Sequence, residues 1–301
     1  MSPIRPCLAC LAGLGVMGLA AVTTAQEMAD VTIKAQLVAG NVYMITGRGG
    51  NMGLSVGADG AFLIDDQFAP LTARIIETIK DLSPKRVQFV INTHWHGDHT
   101  GGNENLGKAG AIIVAHENVR LRMSTEHFME AFDRTVPASP DGALPVITFA
   151  ESMTFHHNGD EIRVQHVAPA HTDGDAIVFF RNANVIHMGD TFFSGMYPFI
   201  DVSSGGSISG MIQAAETALA LADEQTRIIP GHGPLSGVTE LRASRAMLKI
   251  VHERVQNLIR AGRSRDEVIA ARPTGDLDAV WGGGFMKPDQ WVGIVYDGMT
   301  R

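Results

Sequence analysis

The stretch His94-Trp95-His96-Gly97-Asp98-His99 places three imidazoles and one carboxylate within six residues. An apolar run at 87–93 precedes it and a glycine-rich turn at 100–103 follows it, which predicts a buried strand, a loop and then a helix start. Strand ends are where α/β folds commonly place functional residues. Because zinc accepts imidazole nitrogens and carboxylate oxygens as ligands, the stretch predicts a metal site. The alternative is a chance cluster in a chain that holds 12 histidines.

The first 25 residues have the pattern of a secretory signal. Arg5 precedes an apolar run at 8–22, which is too short to cross a bilayer comfortably, and small residues stand at Thr23 and Ala25. We expect cleavage after Ala25, a periplasmic or secreted protein, and no stable membrane insertion afterwards. A membrane anchor is the alternative. The chain's two cysteines both lie in this segment, so a metal site in residues 26–301 would be built from histidines and carboxylates.

The composition argues against a nucleic-acid partner. The chain has 301 residues and a formal net charge of −8, whereas a polyanionic partner would require a basic surface. No basic run interleaved with aromatic residues is present. We therefore expect a small-molecule substrate, and the oligomeric state is left open.

Strand and helix signals occur in two similar successions, each a β-meander followed by strands and helices. The first comprises strands at 40–45, 52–56 and 61–65, a helix at 71–82, strands at 86–92 and 111–115, a helix from 117 to about 131, and a proline-containing loop at 133–146. The second comprises strands at 153–155, 162–167, 176–180 and 185–188, a helix at 207–222, a strand at 227–229, and helices at 239–261, 266–271 and 289–296. Two such halves predict an α/β fold, a four-layer αβ/βα sandwich of two mixed β-sheets with helices on the outer faces. The glycine-rich turn at 46–51 is either a mobile hairpin tip or a flap over a site.

Three later strand ends each present a further metal-ligand residue type. His171 follows the strand that ends at Val167, Asp190 follows the strand 185–188, and His232 follows the strand 227–229. Each lies beside small residues or proline, where the backbone can approach closely and side chains can converge. A single histidine after a strand is more often structural than a ligand. Several such segments in one chain favour a shared site.

This combination resembles the metallo-β-lactamase-fold hydrolase superfamily from about residue 31 to 240. The resemblance implies the four-layer sandwich as a single hydrolase domain, which we place at 26–301. It also implies two zinc ions per chain and a role for each matching residue. His94, His96 and His171 would hold the first ion, Asp98, His99 and His232 the second, with Asp190 bridging both and Asp65 bracing the histidine loop from behind the ligands.

The chain departs from the best-known β-lactamases of this superfamily. Those enzymes have a cysteine where Asp190 stands and a substrate-gripping lysine where Phe193 stands. Asp190 resembles the bridging aspartate of the glyoxalase II-like and broader hydrolase branches, whereas the run 171–178 is similar to a β-lactamase segment. β-Lactams are therefore the first substrate class to test, and the substrate is left open.

The expected activity is hydrolysis of an amide- or ester-type bond in the periplasm. Two zinc ions about 3.5–4 Å apart would share a water and lower its pKa to near 7, which supplies a bridging hydroxide at neutral pH. Asp98 would orient that hydroxide as the catalytic residue. An iron-dependent sulfur or oxygen redox enzyme of the same fold is the alternative, although the extra ligands His99 and His232 argue against a mononuclear iron site. A zinc-binding protein without catalysis is a third hypothesis.

Several further residues are candidates for the walls of the site. Trp95 lies within the histidine motif and is predicted to form a wall of the pocket. Tyr197 and Phe199, in the loop after Asp190, are predicted to line the substrate side. The remaining histidines, His187 among them, are expected to be surface or structural residues.

Overall fold

The computed structural model describes residues 28–301, so the predicted signal segment and its cleavage site lie outside the described residues. The strands are β1 (Lys34–Ala39), β2 (Val42–Thr46), β3 (Met52–Gly57), β4 (Gly60–Ile64), β5 (Val87–Asn92), β6 (Ile112–His116), β7 (His127–Met129), β8 (Arg134–Val136), β9 (Ile147–Phe149), β10 (Ser152–His157), β11 (Asp160–His166), β12 (Ala176–Phe180), β13 (Val185–His187), β14 (Arg227–Ile229) and β15 (Ser236–Gly237). The α-helices are α1 (Thr72–Leu82), α2 (Gly97–Thr100), α3 (Asn103–Lys108), α4 (Glu117–Met123), α5 (Ile208–Leu221), α6 (Val238–Arg260), α7 (Arg265–Ala270), α8 (Asp278–Trp281) and α9 (Pro288–Thr300).

Two large mixed sheets carry the fold. The first has seven strands in the order β1-β2-β3-β4-β5-β6-β9, and the second has six in the order β10-β11-β12-β13-β14-β15. In the first sheet β4, β5, β6 and β9 run parallel. In the second sheet the one parallel pair among the described strands is β13 and β14. The parallel strands matter for function because their carboxyl ends open toward the site.

The alternation of side chains along the strands explains how the layers stack. In β4, Phe62 and Ile64 pack into the core between the two sheets, whereas Leu63 packs with Ile75 of α1 on the outer face. A strand that is buried on both faces shows a continuous apolar run, as this one does. On the far side, α5, α6 and α9 cover the second sheet, with Met211, Leu248 and Trp291 in one shared core. The predicted four-layer sandwich is confirmed.

The segment after α4 was predicted wrongly. The expected helix 117–131 ends at Met123, and the chain then forms a small antiparallel hairpin of β7 and β8, the second of which falls in the predicted loop 133–146. Asp133 has a φ of 47°, a left-handed conformation that turns the chain at this hairpin. The apolar residues Phe128 and Met129 belong to the three-residue strand β7, and an apolar pattern that short does not distinguish a strand from a helix. Within residues 28–301, no helix combines the length and the apolar character needed to cross a membrane.

Candidate metal centre

The carboxyl ends of four parallel strands bring the predicted site together. Asp65 follows β4 and the histidine motif follows β5 in the first sheet, while Asp190 follows β13 and His232 lies just beyond β14 in the second. His171 reaches the same place from the connection between β11 and β12. Because the carboxyl ends of adjacent parallel strands meet at one edge of a sheet, these residues converge although they are far apart in sequence.

Two contiguous groups of potential ligands result. His94, His96, His171 and Asp190 form one group and Asp98, His99 and His232 the other, and within each group one ligand atom per residue lies within 4.8 Å of all the others. Asp190 contacts both groups. Its Oδ2 lies 3.5 Å from His171 Nε2, and its Oδ1 lies 3.1 Å from His99 Nε2.

The hydrogen bonds of His96 and His171 show that two lone pairs face each other. Nε2 of His96 lies 3.0 Å from a carboxylate oxygen of Asp201, and Nδ1 of His171 lies 2.8 Å from the carbonyl oxygen of Phe199. These oxygens only accept, so each of these nitrogens carries a proton and donates it. In the neutral rings, His96 Nδ1 and His171 Nε2 therefore both carry lone pairs, yet they lie 2.8 Å apart. A cation between them would satisfy both.

Asp65 fixes His99 and His94 in the same way. Asp65 accepts from Nδ1 of His99 at 2.8 Å and from Oγ1 of Thr93, also at 2.8 Å. Because that hydroxyl donates to Asp65, it is free to accept from Nδ1 of His94, which lies 3.0 Å away. Both rings therefore direct Nε2 into the cluster. Burial lowers the pKa of His94 well below its usual value, whereas for His99 burial opposes a charge but Asp190 and Asp98 raise the pKa well above it. Asp65 itself has a φ of 58°, a left-handed conformation that aspartate tolerates better than most residues.

Three atoms at the centre confirm that the arrangement suits a cation. Nε2 of His94, Nε2 of His99 and Oδ1 of Asp190 are buried and have no hydrogen-bond partner within residues 28–301. Unsatisfied buried acceptors are costly, and a metal ion satisfies several at once. A set of imidazole nitrogens and carboxylate oxygens, with four of the five imidazoles oriented by an outer partner, fits a transition-metal ion such as zinc.

The charges of the cluster act in the same direction. Burial opposes ionisation of Asp190, yet His232 and His99 hold the pKa of its carboxyl well below the usual range. Burial also opposes a charge on His232, but Asp190 and Asp98 raise its pKa to about 9. Burial lowers the pKa of His171 to about 4, so that ring is neutral. The carboxylates that raise the pKa of a neighbouring histidine also attract a divalent cation to the same place. Proton binding and metal binding at these histidines therefore compete.

A cavity of about 640 Å³ opens directly above the cluster. His96, Asp98, Asp190 and His232 form its floor, and its walls are mainly aromatic or apolar with two arginines. Asp98 is 28% exposed at the side chain, so its carboxylate is accessible to a ligand in this cavity. The glycine-rich turn 46–51 contributes Arg48 to the wall. Its base is pinned at the site, because Asn51 donates its backbone N–H to the carbonyl of Gly231 at 2.7 Å.

All seven predicted ligands and Asp65 therefore lie in one place. Of the predicted walls, Trp95 and Phe199 line the cavity. Tyr197 does not line it, because its ring is buried and stacks on Trp291 with centroids 4.3 Å apart. His187 is fully buried within β13, as expected of a structural histidine.

Sequence reasoning missed two residues that orient ligands. Thr93 precedes the motif directly, and its place beside His94 was a signal that could have been used. Asp201 is 105 residues away from His96, and no spacing rule links the two. Only the path of the loop 192–206 brings the Asp201 carboxylate to that imidazole.

Comparisons with known proteins agree with this geometry. A hydroxyacylglutathione hydrolase of Pelagibacter ubique is 28% identical over 51% of this chain and 56% of its own length. A type 2 metallo-beta-lactamase of Bacteroides fragilis is 22% identical over 56% of this chain and 62% of its own. The aligned region thus spans less than two thirds of either relative.

A metallo-beta-lactamase structure from Pontibacter korlensis superposes with a TM-score of 0.59 at 19% identity, covering 72% of this chain and 99% of that one, which shows a shared fold. The family model described as the metallo-beta-lactamase superfamily matches residues 45–232, which include every residue of the candidate metal centre. The chain belongs to the metallo-beta-lactamase superfamily.

Proposed function

We propose that this protein is a zinc-dependent hydrolase that binds two zinc ions per chain and cleaves an amide- or ester-type bond. The single observation that carries the proposal is the convergence of imidazole nitrogens on one buried point, above all His96 Nδ1 and His171 Nε2, whose lone pairs face each other at 2.8 Å. The outer hydrogen-bond partners of His94, His96, His99 and His171 support a dedicated metal site, because metal-binding histidines are usually oriented in this way. The signal pattern at 1–25 supports a periplasmic or secreted location.

The proposed ligand sets follow the two groups in the structure. His94, His96 and His171 would hold the first ion and Asp98, His99 and His232 the second, with Asp190 shared between them. When bound, such ions polarise a carbonyl group and lower the pKa of a water molecule to near 7, so that hydroxide is available at neutral pH.

The protein's own side chains position the reactants. Asp98 is proposed as the catalytic residue, because its ionised carboxylate lies in the cavity floor and can accept a hydrogen bond from a water molecule beside the scissile bond. His232 Nε2 lies 3.3 Å from Asp98 Oδ2, close enough for both side chains to bind the second ion. Asp65 and Asp201 keep their histidines in the tautomer that presents a lone pair to the cluster. The apolar walls reduce access of bulk water, which strengthens these interactions.

The relatives suggest which bonds to test. One is named as a hydrolase of hydroxyacylglutathione and another as a β-lactamase, so a thioester and a β-lactam belong in the first panel. A lactone and a phosphodiester complete it. The test is a screen of the zinc-loaded mature protein together with metal analysis. We expect about two zinc ions per chain and turnover of at least one amide- or ester-type member.

His171→Ala is the decisive variant, and His156→Ala is its matched control. His171 is fully buried in the cluster, whereas His156 is an exposed histidine on the edge strand β10. We expect the first change to abolish turnover and lower the metal content, and the second to alter neither. A folded His171→Ala protein with full activity would refute the proposal.

Iron in place of zinc, with oxygen uptake on a persulfide, would instead support the redox alternative. N-terminal sequencing of the protein from the periplasmic fraction tests cleavage after Ala25.

A further inference from the structure

The cavity above the metal centre has an aromatic wall assembled from separate segments. Phe132 comes from the turn between β7 and β8, Phe199 from the loop after β13, and Phe285 from the connection between α8 and α9. The ring centroids of Phe132 and Phe199 lie 4.9 Å apart, and those of Phe132 and Phe285 lie 5.7 Å apart. Phe285 and the α8–α9 connection lie beyond the region 45–232 that the family model matches, whereas Phe132 and Phe199 lie within it.

The outer part of this wall is not buried by the protein itself. Phe285 is 65% exposed and Phe132 is 36% exposed, although both rings border the cavity. Leaving large aromatic surface in water is unfavourable, and such surface at the mouth of a cavity typically marks where an apolar ligand group binds. Several aromatic rings at one mouth favour an aryl or alkyl group over a polar one.

Two arginines border the same cavity from different hairpins. Arg48 lies in the turn between β2 and β3, and Arg134 begins β8. Neither guanidinium has a carboxylate within ion-pair distance in residues 28–301, whereas Arg122, Arg254 and Arg265 are all paired with aspartates. An unpaired guanidinium in a partly apolar cavity is well suited to hold an anionic group with two parallel hydrogen bonds.

From these two observations we propose that the substrate is an amphipathic anion. Its aryl or alkyl group packs against Phe132 and Phe285, and its carboxylate or sulfonate head group is held by Arg48 and Arg134, all of which line the cavity above the metal centre. The inference rests on the proposed hydrolase function and names the substrate class for that site. The lysine position of the β-lactamases cannot supply the anion contact here, because Phe193 stands there and stacks on His232 with centroids 5.0 Å apart.

Binding of non-reactive probes to the full zinc-loaded chain tests the proposal without turnover. The probes are 4-phenylbutane-1-sulfonate, the neutral 4-phenylbutan-1-ol, and methanesulfonate, each measured by isothermal titration calorimetry. A sulfonate is chosen because it coordinates divalent cations more weakly than a carboxylate does. We expect the phenylbutyl sulfonate to bind about 10-fold or more tightly than either of the other two probes, because only it uses both the apolar wall and the arginines.

Matched variants separate the two halves of the site. Phe285→Ala is paired with Val280→Ala, since Val280 is 66% exposed nearby on α8 but does not line the cavity. Arg134→Ala is paired with Arg181→Ala, an exposed arginine in the turn between β12 and β13. We expect Phe285→Ala to weaken binding of both phenylbutyl probes about 5-fold or more. Arg134→Ala should weaken binding of the sulfonate about 10-fold and leave the alcohol unchanged, and both controls should match the parent.

The outcomes distinguish this inference from the proposed function. Equal affinity for the sulfonate and the alcohol, or unchanged affinity in both Phe285→Ala and Arg134→Ala, overturns the inference even if the protein is a hydrolase. The expected binding pattern together with full activity of a folded His171→Ala protein supports the amphipathic-anion site and overturns the proposed zinc-dependent function. Steady-state kinetics on two matched esters, one with a carboxylate and one without, should show the same pattern. Arg134→Ala should raise the KM of the carboxylate ester only, and Phe285→Ala should raise the KM of both esters.

Discussion

Asp65→Asn is the substitution that tests the organisation of the metal centre most directly. In the structure the two oxygens of the fully buried Asp65 accept three hydrogen bonds. Oδ1 accepts from the backbone N–H of Thr93 at 2.7 Å, and Oδ2 accepts from the Thr93 hydroxyl and from His99 Nδ1, each at 2.8 Å. Asparagine has the same shape but only one acceptor oxygen, so its amide group must face at least one of these donors.

The expected cost follows from that count. In the better orientation the asparagine oxygen keeps the two donors at Oδ2, and the amide nitrogen faces the Thr93 N–H. Each unsatisfied buried donor costs about 1–3 kcal/mol, and two result, which gives a loss of about 2–6 kcal/mol in the free energy of unfolding. Loss of the carboxylate behind His99 should also weaken zinc binding about 10–100-fold.

Asp66→Asn is the matched control, because Asp66 is equally buried and adjacent in sequence. Its Oδ1 accepts from the N–H of Gly102 at 2.8 Å, and its Oδ2 has no partner within residues 28–301. Burial raises the pKa of Asp66 well above the usual value, so the neutral acid resembles an amide. We expect Asp66→Asn to cause no loss of stability at neutral pH, because the amide is buried without the proton uptake that the buried carboxyl requires.

Urea unfolding at neutral pH measures the stability of the parent and both variants, and competition with a chromogenic chelator measures zinc affinity. Equal losses in the two variants would mean that burial of an amide, rather than the donors at Asp65, sets the cost. An Asp65→Asn protein with parental zinc affinity would refute the argument that Asp65 orients a ligand.

Three further predictions follow from single positions. Gly50→Ala should greatly reduce zinc binding, because an added Cβ would lie inside the contact distance of a ligand imidazole, whereas Gly97→Ala, with nothing within 4 Å, should retain metal content by elemental analysis. The stability contributed by Asp66, whose folded pKa is raised, should be complete below its unfolded pKa of about 3.9 and decrease as pH rises through the folded pKa, by at most about 1.4 kcal/mol per pH unit. Urea unfolding across pH checks this, and a slope that is unchanged in Asp66→Asn contradicts it. Tyr197→Phe removes the 2.9 Å hydrogen bond to Asp278 and should lower the free energy of unfolding by about 1 kcal/mol without changing zinc affinity, so a larger effect on zinc than on stability would contradict a purely anchoring role.

Much of the fold was predictable because strand and helix periods are local properties. The run 61–64 is apolar throughout, as a strand buried on both faces requires, and the periodic apolar residues of 71–82 correctly predicted α1. The hairpin of β7 and β8 was not predictable in this way. Its strands have three residues each, and they are stabilised by their position over the site rather than by a repeating pattern.

The ligand types at the strand ends were visible in the sequence alone, because His94 to His99, His171, Asp190 and His232 each follow an apolar strand. The absence of cysteine after residue 10 likewise determined the chemistry of the ligand set. Only the tertiary structure decided which atoms face one another. The hydrogen bond from His96 to Asp201 spans 105 residues, and the aromatic wall joins Phe132 to Phe285 across a still longer separation. Such contacts depend on how loops pass over the ends of two sheets, which is set by packing of the whole chain and leaves no local pattern in the sequence.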